Sequence, residues 1–284
     1  MTKFKSSRWK ILVPLLLMLF LVGCASVIGP DGKVMPEKII TLGDEWSFSM
    51  GWFDALIVWP LAQFLNFISQ YTGVFMGIVI LTALVNLAMF PSQLKSQVMN
   101  QKMQMINPKI QQIQEKYKGM TDQNSQLRMN TEIQNLYKKN DIKLGSIFIP
   151  TFATLPVILA LWQAVQRAQV VIDGEFLGNS LFTTPMAGMQ AGIPFYFVLF
   201  VVLIVVQIIS AFLPSYLAKK AIKTYPGQKP PQNNNTMMYV MVAMMGYFGL
   251  VMNSAMVIYL SVSAVTRIFQ QFFTQRHMNL NGNK

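Results

Sequence analysis

The sequence predicts an all-α integral membrane protein with five transmembrane helices, and three observations carry that expectation. The 284 residues are 53% hydrophobic and only 12% charged, about half the charged fraction of a soluble domain, and the mean hydropathy is +0.40. Uncharged apolar runs recur at lengths that cross a bilayer core of ~30 Å at ~1.5 Å per helical residue. The net charge of +12 sits in segments that alternate with those runs, as the positive-inside rule requires and as a nucleic-acid-binding surface does not. Cys24 and His277 are the only residues of their types. Counting alone therefore excludes an internal disulfide, a Cys/His metal site and thiol–imidazole catalysis.

Residues 1–23 read as a signal peptide. Lys3, Lys5, Arg8 and Lys10 precede the apolar stretch Ile11 to Val22, and Leu21-Val22-Gly23-Cys24 closes it as a lipobox-like end. Cleavage before Cys24 and lipidation of its thiol would leave a lipoprotein amino terminus; the alternative is an uncleaved anchor with an incidental cysteine. Residues 24–49, with Gly29, Pro30, Gly32 and Pro36, read as an extracellular linker. Residues 50–72 are aromatic-rich and interrupted by Pro60, which fits an amphipathic helix on the outer membrane surface with Trp52 and Trp59 at headgroup depth.

The first span is 73–91. Thr82 and Asn86 lie four apart on one face of it, with Gln93 two turns on, and lipid offers such groups no hydrogen bond. Residues 92–145 then carry nine Lys/Arg against Glu115, Asp122, Glu132 and Asp141, which marks that side as cytoplasmic. Met99, Met103, Ile106, Ile110, Ile113 and Tyr117 form one apolar stripe, and Met129, Ile133 and Leu136 form another. Pro108 should start or kink an arm with Asn107 as its N-cap, and Gly119 should break it. A helical hairpin with basic outer faces results.

The second span, 146–167, contains Pro150 and Pro156 and ends at Arg167, which is expected to snorkel to the outer interface. The external loop 168–191 has Asp173 and Glu175 and no Lys/Arg. The third span is 192–213, followed by a basic cytoplasmic loop, 214–236. The fourth and fifth spans, 237–252 and 253–273, meet at a connection too short for a domain, and 274–284 is a cytoplasmic tail. The extracellular start and cytoplasmic end agree with these charges.

The fifth span carries Tyr259, Ser263, Thr266, Arg267 and Gln270 at helical spacing, with Arg267 about six residues inside the cytoplasmic end. A buried arginine is costly unless water or partners reach it, so Arg267 either faces a wet interior or snorkels to the inner headgroups. Thr154 and Gln207 are polar positions in spans two and three that serve equally as glue between helices. The methionines of span four read as adaptable packing. No Walker-type phosphate loop and no GxSxG elbow occur in the sequence.

Several segments, in order, resemble the YidC/Oxa/Alb membrane protein insertases. LIVWPLAQFLNFISQYTGVFMGIVILTALVNLAMFPSQLKSQ is similar to the family's external helix and first core span. INPKIQQIQEKYK and LYKKNDIKLGSIFIP resemble its cytoplasmic hairpin and exit. LPVILALW and MNSAMVIYLSVSAVTRIFQQFFTQR resemble later spans. The lipobox and the lack of a large external domain resemble the Gram-positive form. The resemblance implies five helices around a hydrophilic groove open to cytoplasm and lipid. It implies insertion of nascent membrane proteins, alone or with the Sec translocon, without nucleotide hydrolysis, enzymatic chemistry or a cofactor other than the lipid on Cys24.

It also implies groove contacts from Thr82, Asn86, Thr154, Gln207, Tyr259, Ser263, Thr266 and Arg267. The family's usual first-span arginine aligns with Asn86, and Ala264 stands where asparagine is frequent, so Arg267 is the candidate replacement cation. The hairpin is expected to receive clients or dock the ribosome or translocon. The tail, with only Arg276, His277 and Lys284, is too weakly charged to hold ribosomal RNA strongly. A small-solute transporter is the alternative function, which paired broken helices or inverted repeats would favour; no internal repeat is found.

Overall fold

A computed structural model describes residues 35–142, 145–221 and 236–282. The signal segment with Cys24 and the stretch 222–235 of the basic loop lie outside the described residues. Among the described residues nine α-helices dominate: α1 (Trp59–Thr72), α2 (Val74–Lys116), α3 (Gln123–Lys139), α4 (Gly145–Arg167), α5 (Gln169–Ile172), α6 (Pro185–Gln190), α7 (Pro194–Ala221), α8 (Thr236–Val251) and α9 (Ser254–Gly282). The strands β1 (Glu175–Phe176) and β2 (Asn179–Ser180) form a small antiparallel hairpin between α5 and α6. Among the described residues, three helical stretches are long and apolar enough to cross a membrane: Val74–Asn100, Pro194–Leu217 and Ser254–Arg276. Met238–Val251 is a shorter apolar helix. The protein is an all-α membrane protein in class.

α2 runs on through Pro91, where the first span was expected to end, and through Pro108, which does not start an arm. It is a single helix of 43 residues with both prolines inside it, about 65 Å long at 1.5 Å per residue. Asn107 is therefore a mid-helix residue and not an N-cap. Each proline removes one backbone bond and presses on the preceding turn, at about 3 kcal/mol or more. A helix nucleated in the apolar span propagates cheaply, and both prolines lie where α2 has neighbours to pack on: α9 for the first half, and α3 for the second. The helix stops where Gly119 takes φ +87°. Asp122 then caps α3, its Oδ2 accepting from the Ser125 amide at 2.8 Å. Ile106, Ile110 and Ile142 are buried with Met103, Ile133, Leu136 and Tyr137 packed on them, so the two stripes close on each other. At the tip, Lys116 Nζ donates to Glu132 Oε1 at 2.7 Å and the Tyr117 hydroxyl donates to the same oxygen at 2.8 Å.

The end of the bundle opposite the hairpin is densely packed. Val58, Ala62 and Leu65, Ile78 and Leu81, Ala164 and Val165, and Ala255 and Met256 belong to one buried cluster drawing on α1, α2, α4 and α9. Residues 35–50, which include most of the expected extracellular linker, are fastened to this end. Ile40 bridges Ala168 in parallel, its amide donating to the Arg167 carbonyl at 2.7 Å while its carbonyl accepts from Asn66 Nδ2, also at 2.7 Å. Gln63 Nε2 donates to the Thr41 carbonyl at 2.6 Å. Pro60 does not interrupt its helix: it opens α1 directly after a wide π turn, Asp54–Val58. The wider turn accommodates a residue that has no amide hydrogen to give.

Arg167 departs furthest from its sequence reading. It does not snorkel. Its side chain is 7% exposed and Nη1 pairs with Asp54 Oδ2 at 2.5 Å, while Nε donates to the Lys38 carbonyl at 2.8 Å. At the other end, α9 runs on to Gly282 through most of the expected tail, and α7 passes Pro214 to reach Ala221.

Candidate functional site

α9 packs most extensively against α7 and α2, and the polar residues of the bundle interior gather where these helices meet. Arg267 Nη2 donates to Gln207 Oε1 at 3.2 Å and Nε donates to Ser210 Oγ at 3.4 Å. Gln207 and Ser210 are both buried, in a stretch of α7 whose other residues from Phe197 to Leu213 are all apolar. Arg267 thus takes its partners from α7, three residues apart and hence on one face of that helix. A guanidinium has five donors, and among the described residues two of them are used. The Gln207 Nε2 is a second donor, buried without a partner among the described residues.

One turn on, a second crossing links α9 to α2. Thr274 Oγ1 donates to Gln97 Oε1 at 2.8 Å and Gln97 Nε2 donates to Gln270 Oε1 at 3.3 Å. Gln270 and Thr274 are almost completely buried. Ser263 and Tyr259 lie one and two turns before Arg267 and are also buried. The Tyr259 hydroxyl is within hydrogen-bonding reach of Ser263. The α9 face from Tyr259 to Thr274 is therefore a continuous polar stripe inside the bundle.

The remaining sequence candidates divide. Thr82 is fully buried and its hydroxyl has no partner among the described residues. Asn86 Nδ2 folds back onto the Thr82 carbonyl at 2.9 Å, so both sit on one face of α2. Thr266 bonds its own helix, its hydroxyl donating to the Val262 carbonyl at 2.9 Å. Thr154 is half-buried on α4. Gln97, Ser210 and Thr274 are members that sequence reading missed. Gln97 lies beyond Pro91, where the span was expected to end, and lone serines and threonines in apolar helices give no periodic signal.

The model of the family described as "60Kd inner membrane protein" matches residues 66–281, from the second half of α1 to the last turn of α9. The chain belongs to that family. Three relatives illustrate the likeness. The Membrane protein insertase YidC of Mycoplasmopsis pulmonis is 28% identical over 244 residues, covering 83% of this chain and 40% of that longer protein. The Membrane protein insertase YidC 2 of Streptococcus pneumoniae serotype 4 is 24% identical over 221 residues, 78% of this chain and 74% of the relative. The Membrane protein insertase YidC 1 of Streptococcus agalactiae serotype III is 28% identical over 218 residues, 75% of this chain and 72% of the relative. Arg267, Gln207, Ser210, Gln97, Gln270 and Thr274 all lie inside the region that the 60Kd inner membrane protein family model matches; Asp54 and the strap over 35–50 lie before it.

Proposed function

We propose that this protein is a membrane protein insertase and chaperone of the bacterial plasma membrane, not an enzyme, whose clients are nascent membrane proteins. The observation that carries the reading is the polar stripe of α9, whose Arg267 and the facing Gln207 of α7 keep donors without partners among the described residues, inside a helix bundle whose relatives are named membrane protein insertases. A hydrophilic client tail entering lipid loses its hydrogen bonds to water, at several kcal/mol per polar group. A polar groove reaching part-way through the bilayer restores some of them before the tail has crossed.

In this reading α2, α4, α7, α8 and α9 are five crossings around the groove. The basic hairpin and the end of α9 face the cytoplasm, by the distribution of Lys and Arg. The densely packed end under the Ile40 strap then forms the outer seal. α8 has 16 residues, about 24 Å of helix against a core of ~30 Å. A short helix favours locally thinner lipid, which shortens the path of a tail. The hairpin receives clients or docks the Sec translocon or ribosome, and Cys24, cleaved and lipidated, anchors the amino terminus. Mass spectrometry finding an unmodified Cys24 in the mature chain would remove the lipid from this picture.

Within the groove, Arg267 supplies the positive charge that α2 lacks at Asn86, with Thr82, Thr154, Gln207, Tyr259, Ser263 and Thr266 as its polar lining. The deciding experiment is expression in an insertase-depleted bacterium, with membrane insertion of a short-tailed client as readout. Restored growth and insertion are expected. Failure of both, with the protein present in the membrane, would overturn the reading.

A further inference from the structure

Between the hairpin and the polar stripe the helices part around a cavity of about 470 Å³, within the size range of ligand sites. α2 contributes Gln97, Asn100 and Asn107, α3 contributes Tyr137, and α9 contributes Gln271. Pro214 brings in α7, and Met103 and Ile110 complete the wall. None of these residues is charged. Gln97 is held in place by Gln270 and Thr274, whereas the Gln271 Oε1 is buried without a partner among the described residues. Gln271 follows Arg267 by four positions on α9, so the two lie on one face, a turn apart.

The chemistry of the wall selects its occupant. A carboxamide offers two donors and an acceptor oxygen, which together match the N–H and C=O that every peptide unit presents in an extended chain. Among the described lining residues a lipid phosphate or an acidic side chain finds no countercharge, and it would be desolvated there for no Coulomb gain. Met103 is an unbranched, polarizable surface that tolerates varied side chains. We infer that this cavity is a backbone-binding vestibule: it takes an extended, uncharged stretch of client polypeptide through its main-chain groups before the tail reaches Arg267. The inference rests on the insertase reading and adds a site that is indifferent to client charge to one that depends on it.

The test uses the full-length protein in cells, with a photo-crosslinking residue placed in turn at Asn100 and Asn107 and, as an outward control, at the exposed Asn130. The clients are ribosome-stalled short-tailed membrane proteins with acidic tails, the same tails with amides in place of the acids, and the amide tails with alternate residues changed to proline. Crosslinks at positions 100 and 107 should exceed the control, and the acidic and amide tails should agree within about twofold. Read at position 107, they should fall about fivefold for each carboxamide removed by Asn100→Leu or Gln271→Leu, the worth of one hydrogen bond. The proline tails should crosslink poorly, because they lack backbone donors.

Asn100 is exposed, so Asn100→Leu does not threaten folding. Yields no higher than at position 130, capture of lipid or of the protein's own chain, or a preference for acidic tails would each overturn the vestibule while leaving the rescue experiment unaffected. A wild-type chain that fails to rescue would overturn both.

Discussion

Removing the Arg167 guanidinium should destabilise the strap end of the bundle by about 3 kcal/mol. The pair it forms with Asp54 is 2.5 Å long, with side chains 7% and 23% exposed, and Arg167 also holds the Lys38 carbonyl. Breaking a buried pair by deleting one partner costs about 3–5 kcal/mol because the other charge is left without compensation. The partial exposure of Asp54 puts Arg167→Met at the lower end of that range. Asp54→Leu in the same background removes the stranded carboxylate. The double variant should therefore recover most of the loss, since apolar replacement of a buried pair is often neutral.

Equilibrium unfolding in mixed micelles, followed by tryptophan fluorescence, gives the energies, and hydrogen exchange at the Ile40 and Gln169 amides reports the strap itself. Those amides bond to the Arg167 and Ile40 carbonyls, so they should exchange faster in the single variant. A loss below about 1 kcal/mol in Arg167→Met, or a double variant as unstable as the sum of the singles, would refute a buried pair. It would return Arg167 to the membrane interface.

Arg267→Ala should slow insertion of acidic-tailed clients and spare uncharged tails. A charge pair at 4 Å is worth about 4 kcal/mol at an effective dielectric of 20 before desolvation, and a quarter of that surviving is about fivefold in rate. Asn86→Arg in the same background should restore the acidic clients, and equal loss on both classes would reduce Arg267 to a packing partner of Gln207 and Ser210. Gly188→Ala should cost about 1–3 kcal/mol in the same micelle assay, because its Cβ would lie 2.0 Å from Tyr196 Cδ2, on a ring that is buried and bonded to the Ser180 carbonyl; unchanged stability would mean that this contact yields freely.

Hairpin closure should be flat between pH 4.5 and 10.5, the ordinary values of Glu132 and Lys116. The hydrogen bond from Lys116, then that from Tyr117, holds the Glu132 carboxyl below its usual value, so its stabilisation is full above that value and fades as pH falls through the lowered one. The bond to Glu132 raises Lys116, whose contribution is full below its usual value and fades as pH rises through the raised one. Spin-label distances between α2 and α3 would show both limbs, and Glu132→Gln should abolish them if this pair, and not the apolar stripe, gives the pH dependence.

The hairpin and the polar stripe were both legible before any coordinates, because each is a periodic pattern. Ile106 and Ile110 on one arm and Ile133 and Leu136 on the other repeat at helical spacing, and helices with such stripes bury them against each other. Tyr259, Ser263 and Arg267 repeat in the same way, which was enough to mark one wet face of α9. The same local reasoning misjudged Pro91, Pro108 and Pro60. Proline is a strong signal about its own backbone, yet whether a helix survives it depends on the packing of the turns on either side.

Composition, hydropathy and charge by themselves determined that the chain is a helical membrane protein and which stretches are apolar. Those properties are summed over segments or repeat along a helix, and a sequence displays both directly. The pairings were decided only by tertiary structure: Arg167 with Asp54, 113 positions apart, Arg267 with Gln207 and Ser210, 60 and 57 apart, and Thr274 with Gln97, 177 apart. A buried polar group must find a partner or lose several kcal/mol. Which partner it finds depends on how the helices are arranged around it, and that arrangement turned an arginine expected at the lipid interface into the buried tie that holds the strap to the bundle.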